Sequence, residues 1–271
     1  MSDHLKPPCC VSGTALITGG ASGIGKATAI VYAENGIQNL ALVDLNVDSL
    51  QATQAELRAQ HPTVQVEVFP TDVSKEDQVT AVVKSVVEKF GRIDISVHSA
   101  GVPQIPRKTH ETPLEEWQRV IDINQTAVFL CEKRVITQML KQERSGPYEE
   151  RGTIVNIASV LGVASPSVPM AYNAYTAAKH AVIALTKLDS KTYAKEGIRI
   201  NALCPGLLGD TPFAKDIMAE MMKVLPFEIE KIALGRVGQA REMANAVLFL
   251  TSAMGSYMYG TPLVVDGGYA L

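Results

Sequence analysis

The sequence is poor in the features that mark several large classes of protein. Its four cysteines are Cys9, Cys10, Cys131 and Cys204, and none belongs to a Cys-x-x-Cys pair or a Cys/His cluster with zinc spacing. We therefore expect neither disulfides nor a bound metal, and we expect a reducing, cytoplasmic compartment. No run of about 18 uncharged apolar residues predicts a membrane span. The first ten residues also lack the apolar core of a signal peptide.

The chain has little net charge. The formal value is -3, and no long basic or acidic block interrupts the sequence. This argues against a nucleic-acid partner, because phosphate binding needs clustered Lys and Arg. With 271 residues, 46% of them hydrophobic, the chain is long enough for one large domain with a substantial core. No Pro/Gly/Ser-rich linker divides it, and we interpret residues 1–271 as one domain with an N-terminal extension at 1–12.

Short β-branched runs alternate with helix-like segments along the whole chain. The predicted strands are Ala15–Thr18, Leu40–Val43, Val64–Phe69, Ile93–His98, Thr153–Ile157, Arg199–Leu203 and Pro262–Val265. One helix is predicted from about Ile24 to Asn35, and others lie at Ser49–Ala59, Lys75–Phe90, Leu114–Lys141 (one or two helices) and Tyr172–Lys195. This alternation predicts an α/β fold, a Rossmann-type doubly wound parallel sheet of about seven strands with helices on both faces.

A glycine-rich turn follows the first predicted strand, in the run Thr18-Gly-Gly-Ala-Ser-Gly-Ile-Gly25. Glycines here let the backbone approach a pyrophosphate, and the N-terminus of the next helix supplies N–H donors. Because the spacing differs from Gly-x-Gly-x-x-Gly, a glycine-rich turn without a ligand is the alternative interpretation.

Asp44 ends the second predicted strand, nineteen positions after Gly25. An acid at this place can accept hydrogen bonds from ribose hydroxyls, and it would repel a 2′-phosphate. No basic residue follows at position 45 or 46, and position 22 is Ser. The sequence therefore favours NAD(H) over NADP(H), with a capping role as the alternative for Asp44.

Tyr175 and Lys179 stand four residues apart in a predicted helix, and Ser159 lies sixteen residues before the tyrosine. We expect the lysine to lower the pKa of Tyr175 from about 10 toward neutrality. A serine hydroxyl nearby could hold the substrate oxygen that gains or loses a proton. The alternative is a surface pair at helical spacing, worth about 0.2–0.5 kcal/mol.

Together these features resemble the short-chain dehydrogenase/reductase family over about residues Gly13 to Gly268. The matching motifs are Thr18–Gly25, Asp72-Val73, His98-Ser-Ala-Gly101, Asn124, Ser159, Tyr175-Thr-Ala-Ala-Lys179, Pro205-Gly206 and Val265-Asp-Gly-Gly268. The resemblance implies hydride transfer between a secondary alcohol or ketone and a nicotinamide cofactor, in a homotetramer or homodimer. The alternatives are elimination, epimerisation or cyclisation on the same scaffold, or a cofactor-binding protein without catalysis.

The resemblance also implies residue roles. Tyr175 would be the general acid/base, Ser159 would orient the substrate oxygen, and Lys179 would bind the nicotinamide ribose. Asn124 would support a water-linked proton relay to Lys179, or it could bond its own helix backbone. Asp72 would accept from the adenine amino group, or it could cap the next helix. The full set implied for cofactor binding is Gly19, Ser22, Gly23, Ile24, Gly25, Asp44, Asp72, Val73, Ala100, Gly101, Tyr175, Lys179, Pro205, Gly206, Leu208 and Thr211.

Two positions depart from the family pattern. His98 stands where the family usually has Asn, and we expect a structural rather than a catalytic role for it. Thr211 follows Pro205 by six positions instead of five, which puts its cofactor contact in doubt.

A substrate lid is predicted over about 207–230, beginning after Gly206. Its apolar residues are Phe213, Ile217, Met218, Met221, Met222, Val224, Leu225 and Phe227. They favour a mostly apolar substrate, with core or subunit contact as the alternative. Pro103, Val163 and Met170 are further candidates for the pocket wall, and the stretch Val160–Ala171, which is poor in charge, could border it too.

Overall fold

The computed structural model describes residues 9–165, 171–212 and 227–271. Within these ranges, seven strands form one sheet. They are β1 (Thr14–Thr18), β2 (Asn39–Asp44), β3 (Gln65–Pro70), β4 (Ile95–His98), β5 (Gly152–Ile157), β6 (Ile198–Pro205) and β7 (Pro262–Val265). Their order across the sheet is β3-β2-β1-β4-β5-β6-β7, and every neighbouring pair is parallel. The predicted Rossmann-type α/β fold is therefore confirmed.

The main helices between and after the strands lie close to the predicted ones, with one addition. They are α1 (Gly23–Glu34), α2 (Val47–Gln60), α3 (Glu76–Phe90), α4 (Leu114–Ile121), α5 (Ala127–Met139), α6 (Asn173–Tyr193) and α7 (Ala240–Thr251). A π-helical turn, Asp122–Thr126, joins α4 to α5. α7 is not among the predicted helices, although Glu242 stands three residues after Gln239, and its carboxylate accepts the N–H of Gln239 at 2.9 Å at the start of the helix.

Both faces of the sheet are buried, because successive strand residues point to opposite sides. Ile17 packs in a core that contains residues of α1 and α7, whereas its neighbour Leu16 packs in a second core with residues of α3 and α5. All five residues of β1 are buried. Two apolar layers therefore hold the helices on either side, as expected for a doubly wound parallel sheet.

The sheet brings distant residues together at one edge. The carboxyl ends of parallel strands share that edge, so Thr18, Asp44, His98 and Pro205 all end their strands there. From β1 the chain adds β2 and β3 on one side of the sheet, and it then continues with β4 on the other side of β1. A crevice for ligands is expected at such a reversal point.

Candidate active site

A cavity of about 450 Å³ lies at this edge of the sheet. Every residue of the predicted catalytic and cofactor-binding set contributes to its lining except Gly25. Gly25 lies behind the glycine-rich turn, where an added Cβ would collide with the carbonyl oxygen of Gly19. Its absence of a side chain lets α1 pack closely on the turn.

The glycine-rich turn forms one end of the cavity. Gly19 and Gly23 have φ angles of +67° and +51°, which other residues rarely adopt. A Cβ on Gly19 would lie 2.9 Å from the backbone nitrogen of Ala100, so the turn packs closely against the loop after β4. The N-terminus of α1 follows at Gly23 and gives this end of the cavity the character of an anion site.

Thr211 reaches the same turn despite the extra residue before it. It is buried, and its Cγ2 methyl carbon would lie 3.6 Å from a Cβ on Gly23. Leu208 is held nearby, because its neighbours Leu207 and Gly209 exchange backbone hydrogen bonds of 2.8 and 3.0 Å with Gly238. The longer connection therefore still leaves Thr211 in the cavity wall.

The Asp44 carboxylate is fixed by two backbone donors. Its Oδ2 accepts the N–H of Ala21 at 3.2 Å, and its Oδ1 accepts the N–H of Asn46 at 3.1 Å. The N-cap of α2 is Asn46, whose side chain accepts the N–H of Ser49 at 3.0 Å. Asp44 is thus not the helix cap, and its carboxylate borders the cavity.

Asp72 stabilises a turn before α3. Its Oδ1 accepts the N–H of Ser74 at 3.0 Å and the hydroxyl of Ser74 at 2.7 Å. The side-chain bond is the main cause that lowers the pKa of Asp72. The N-cap of α3 is Lys75, so the alternative that Asp72 caps this helix is wrong. Asp72 and Val73 both line the cavity.

Asn124 fastens the loop after β4 to the π-helical turn. Its Oδ1 accepts the N–H of Val102 at 3.2 Å, and its Nδ2 donates to the carbonyls of Val102 and Val120 at 3.0 and 3.1 Å. The bond to Val120 is the helix-backbone contact considered as an alternative. A Cβ on Gly101 would lie 2.8 Å from Asn124 Oδ1 and 4.0 Å from Lys179 Nζ, so this glycine borders both groups. A relay role for Asn124 stays a prediction.

Ser159, Tyr175 and Lys179 converge between the end of β5 and the start of α6. Lys179 Nζ donates to the carbonyl of Ile157 at 2.8 Å and lies 5.5 Å from the centroid of the Tyr175 ring. A hydrogen bond joins the side chains of Ser159 and Tyr175. Ser159 Oγ also accepts the N–H of Leu161 at 3.1 Å, which fixes its orientation.

Burial is the largest cause of the shifted pKa values of Tyr175 and Lys179. It raises the pKa of Tyr175 to about 12, against the hydrogen bond with Ser159, while the neighbouring phenol of Tyr172 adds to the rise. Burial also lowers the pKa of Lys179 to about 8, although the Cys204 thiol acts in the opposite direction. The expectation that Lys179 brings the tyrosine toward neutrality is therefore wrong for the protein groups alone. The cost of burying the charged form is the largest influence on each of the two pKa values.

His98 has the structural surroundings that we expected. Its Nδ1 bonds Asn156 Oδ1 at 2.8 Å, and its Nε2 bonds Ser96 Oγ at 3.0 Å. The bond to Asn156 ties β4 to β5, and burial lowers the pKa of His98 to about 4. The imidazole is therefore neutral at pH 7.

The His98 network continues to a buried carboxyl group on α5. Asn156 Nδ2 donates to Glu132 Oε2 at 3.0 Å and to Thr186 Oγ1 at 2.9 Å. Among the described residues, Glu132 Oε1 has no hydrogen-bond partner. Burial raises the pKa of Glu132 to about 8, against the bond from Asn156, and the charge of Asp189 adds to the rise.

Gln104 is a site residue that is not among the predicted ones. Its side chain is buried, its Oε1 accepts the N–H of Tyr175 at 3.0 Å, and its Nε2 donates to Asn173 Oδ1 at 2.6 Å. It thereby fastens the loop after β4 to the start of α6. Local sequence offers no signal for this contact beyond the closeness of Gln104 to Gly101.

The substrate side of the cavity is described in part. Pro103 lines it, as predicted, and so do Val160 and Leu161 of the predicted border stretch. Tyr172 and Tyr269 line it without having been singled out. Val163 is 41% exposed and does not contribute to the wall. Phe227 is 56% exposed. Met170 and the other predicted lid residues, Phe213, Ile217, Met218, Met221, Met222, Val224 and Leu225, lie outside the described residues.

In the ranges that the structure covers, no helix is both long and apolar enough to cross a membrane. A search of the same ranges for three or more His, Cys, Asp or Glu residues placed to hold a metal ion finds no such group.

Comparison with known proteins identifies similar chains. A family model described as enoyl-(acyl carrier protein) reductase matches residues 19–270. A short-chain dehydrogenase of Neurospora crassa is 35% identical over 273 residues, covering 96% of this chain and 98% of the relative. The 2,5-dichloro-2,5-cyclohexadiene-1,4-diol dehydrogenase of Sphingobium indicum is 35% identical, covering 94% and 96%. A crystal structure of levodione reductase has a TM-score of 0.87 and 35% identity, covering 95% of this chain and 97% of that one.

Proposed function

The chain belongs to the short-chain dehydrogenase/reductase family and is an NAD(P)-dependent oxidoreductase, and we propose that it interconverts a secondary alcohol and a ketone with NAD(H) as the preferred cofactor. One observation carries the proposal. Ser159, Tyr175 and Lys179 share one cavity with the glycine-rich turn and Asp44. Groups for proton transfer and groups suited to a dinucleotide therefore face the same space.

The residues of the cavity fit a nicotinamide dinucleotide. The turn at Gly19 and Gly23 and the start of α1 suit a pyrophosphate, because backbone N–H groups and a positive helix end meet there. Asp44 suits free ribose hydroxyls. The adjacent Leu45 is 71% exposed and carries no charge to offset a 2′-phosphate, which supports NAD(H) over NADP(H). Lys179 and the Thr211 segment border the other end of the cavity.

We assign the proton chemistry to Tyr175. The bound nicotinamide supplies hydride chemistry. Ser159 holds the substrate oxygen, and Tyr175 takes the hydroxyl proton in oxidation or returns it in reduction. Lys179 and Asn124, which both border Gly101, carry the proton onward from Tyr175.

The substrate that we propose is a largely apolar ring alcohol or ketone. Val160 and Leu161 contribute apolar wall beside Ser159, and most of the cavity surface is apolar. The Sphingobium relative is named for a six-membered ring diol, which supports a carbocyclic substrate. Levodione reductase adds a relative named for reduction.

We further propose a single domain, with residues 1–12 as an extension and about 207–230 as the lid. A homotetramer or homodimer assembled through α5 and α6 is supported by exposed apolar side chains on these helices. Phe129 and Leu188 are 46% and 63% exposed. Cytoplasmic placement and the lack of a nucleic-acid partner stay predictions from composition.

Tyr175→Phe tests the proposed chemistry. We expect turnover to fall by about 10²–10⁴-fold, because the variant removes the transferable proton and keeps the ring. The assay follows nicotinamide absorbance with a panel of cyclic ketones, and NADH fluorescence checks that the cofactor still binds. Tyr257→Phe is the matched control, since Tyr257 is 99% exposed. Wild-type turnover in Tyr175→Phe would sink the assignment, and product formation without nicotinamide turnover would point to a non-redox reaction.

A further inference from the structure

The helix that carries Tyr175 is not capped by the side chain of the residue before it. α6 begins at Asn173, and its N-cap, Tyr172, makes no capping bond with its side chain. The first N–H groups of a helix have no partner within the helix, so they need acceptors from elsewhere. Those of Ala174 and Tyr175 donate to Asn173 Oδ1 at 2.7 Å and to Gln104 Oε1 at 3.0 Å. Part of the cap therefore comes from the loop after β4.

Three side chains extend this cap into a chain of hydrogen bonds. Behind its bond to Tyr175, Gln104 donates through Nε2 to Asn173 Oδ1 at 2.6 Å. Asn173 Nδ2 donates to Thr112 Oγ1 at 2.7 Å, and the Thr112 hydroxyl donates to the carbonyl of Lys108 at 3.1 Å. Four hydrogen bonds thus lead from the backbone of Tyr175 to an exposed part of the loop before α4.

The donors and acceptors of this chain all run in one direction. Asn173 Oδ1 receives two donors, Gln104 Nε2 and the N–H of Ala174. Turning the Asn173 amide over would bring its NH2 group against both of them, because an amide nitrogen can only donate. Gln104 is 1% exposed, so a lost partner would not be replaced readily by water. The side chains therefore fix one another.

Backbone contacts hold the same two segments together. The N–H of Arg107 donates to the carbonyl of Ala171 at 3.0 Å, just before α6. At the other end of the loop, the N–H of Ala100 donates to Thr18 Oγ1 at 3.2 Å, at the end of β1. The loop thus joins the strand that leads into the glycine-rich turn to the start of α6.

The first turn of α6 decides where the Tyr175 phenol stands. Tyr175 is the third residue of the helix, and its side chain is hydrogen-bonded to that of Ser159 in the cavity. Helix ends fray where their free N–H groups lack partners. A displacement of about 1 Å at a reacting group can slow a reaction by about 100-fold. A cap that holds this turn therefore supports proton transfer by Tyr175.

We propose that Thr112 and Asn173 are positioning residues for Tyr175, on which they act through Gln104. Neither of the two belongs to the cavity lining, so their effect reaches the reaction through the first turn of α6. This inference rests on the proposed alcohol–ketone function, because it is proton transfer by Tyr175 that requires the alignment.

Thr112→Val tests the remote end of the chain. It keeps the shape of the side chain but leaves Asn173 Nδ2 without its acceptor. We expect kcat to fall by about three- to tenfold, as for the loss of one hydrogen bond, with KM for NADH unchanged within about twofold. Thr112→Ser keeps the hydroxyl and should restore the wild-type kcat. Thr192→Val is the matched control, because Thr192 also bonds the carbonyl four residues before it, at the far end of α6.

A double variant distinguishes positioning through the chain from general damage. Asn173→Leu breaks the chain in the middle and should lower kcat by about tenfold. Adding Thr112→Val to it should then cost less than about twofold, because both residues act through the same bonds. Asn173→Leu also provides a second break if Thr112→Val folds poorly. An unchanged kcat in both single variants would overturn the inference, and so would losses that multiply in the double variant.

Amide hydrogen exchange gives a readout that needs no turnover. The N–H of Tyr175 should exchange faster in Thr112→Val and Asn173→Leu than in the wild type or Thr192→Val. The proposed function fails by a different result, a wild type that turns over no nicotinamide with any ketone. In that case faster exchange in the variants would still support the hold on α6, and unchanged exchange would overturn it.

Discussion

Replacing Glu132 with glutamine should stabilise the protein, and increasingly so as the pH rises. Glu132 is 1% exposed, and its pKa is raised from an ordinary value of 4.5 to about 8. A group with a raised pKa in the folded chain contributes stability that is fully present below its unfolded pKa and is lost as the pH rises through the folded value. The loss for Glu132 therefore extends from about pH 4.5 to about pH 8.

The size of the effect follows from the two pKa values. Each pH unit corresponds to about 1.4 kcal/mol, so ionisation of Glu132 in the unfolded chain opposes folding by about 3 kcal/mol at pH 7 and about 5 kcal/mol at pH 9. Glu132→Gln removes this penalty. The amide oxygen can still accept from Asn156 Nδ2, as Oε2 does at 3.0 Å. The Oε1 position of Glu132 has no described hydrogen-bond partner. A protonated carboxyl and an amide both leave this position without a partner, so the cost of burying it is similar in the two proteins.

Urea denaturation followed by circular dichroism at pH 5, 7 and 9 measures this difference, at one fixed protein concentration because oligomers unfold in a concentration-dependent way. We expect the variant to exceed the wild type by under about 1 kcal/mol at pH 5 and by several kcal/mol at pH 9. Glu143→Gln, at an exposed position just beyond α5, is the control. A stability difference that stays constant across this pH range would refute the reasoning, and so would a variant less stable than wild type at pH 9.

Two further predictions concern the active site. Asp44→Ala combined with Leu45→Arg should lower the ratio of kcat/KM for NADH over NADPH by at least about tenfold, because the repulsive carboxylate is lost and a cation is gained. Steady-state assays with both cofactors measure this ratio. An unchanged ratio would contradict the role of Asp44. Gln104→Leu should lower kcat by about tenfold, because it leaves the N–H of Tyr175 without its partner at the start of α6. The exposed Gln118→Leu serves as its control, and a kcat equal to wild type would show that Gln104 does not position Tyr175.

Local patterns were sufficient for most of the fold and much of the candidate site. Alternation of β-branched runs with helical periods placed all seven strands to within a few residues. The main boundary error shows the limit: Ile93 was assigned to β4, but its N–H bonds Gln142 Oε1 at 2.9 Å instead of joining the sheet. That partner lies 49 residues away, so no local window could reveal it.

What the sequence could not supply depends on packing between distant segments. Gln104 and Tyr269 enter the cavity through contacts made only in the folded chain. The pKa direction of Tyr175 failed for a related reason. Helical spacing revealed the nearby Lys179, but the depth of burial, which is the largest cause of the raised pKa, is set by the layers around α6.

The contact between Thr211 and the glycine-rich turn has a kinetic consequence. Thr211 and Pro212 belong to the first part of the predicted lid, and both residues line the cavity beside the turn. A dinucleotide seated on the turn would pack against these two residues and so hold the start of the predicted lid in place before a substrate binds. We therefore expect a compulsory order, with cofactor first to bind and last to leave. Cofactor release would then limit turnover at saturating substrate.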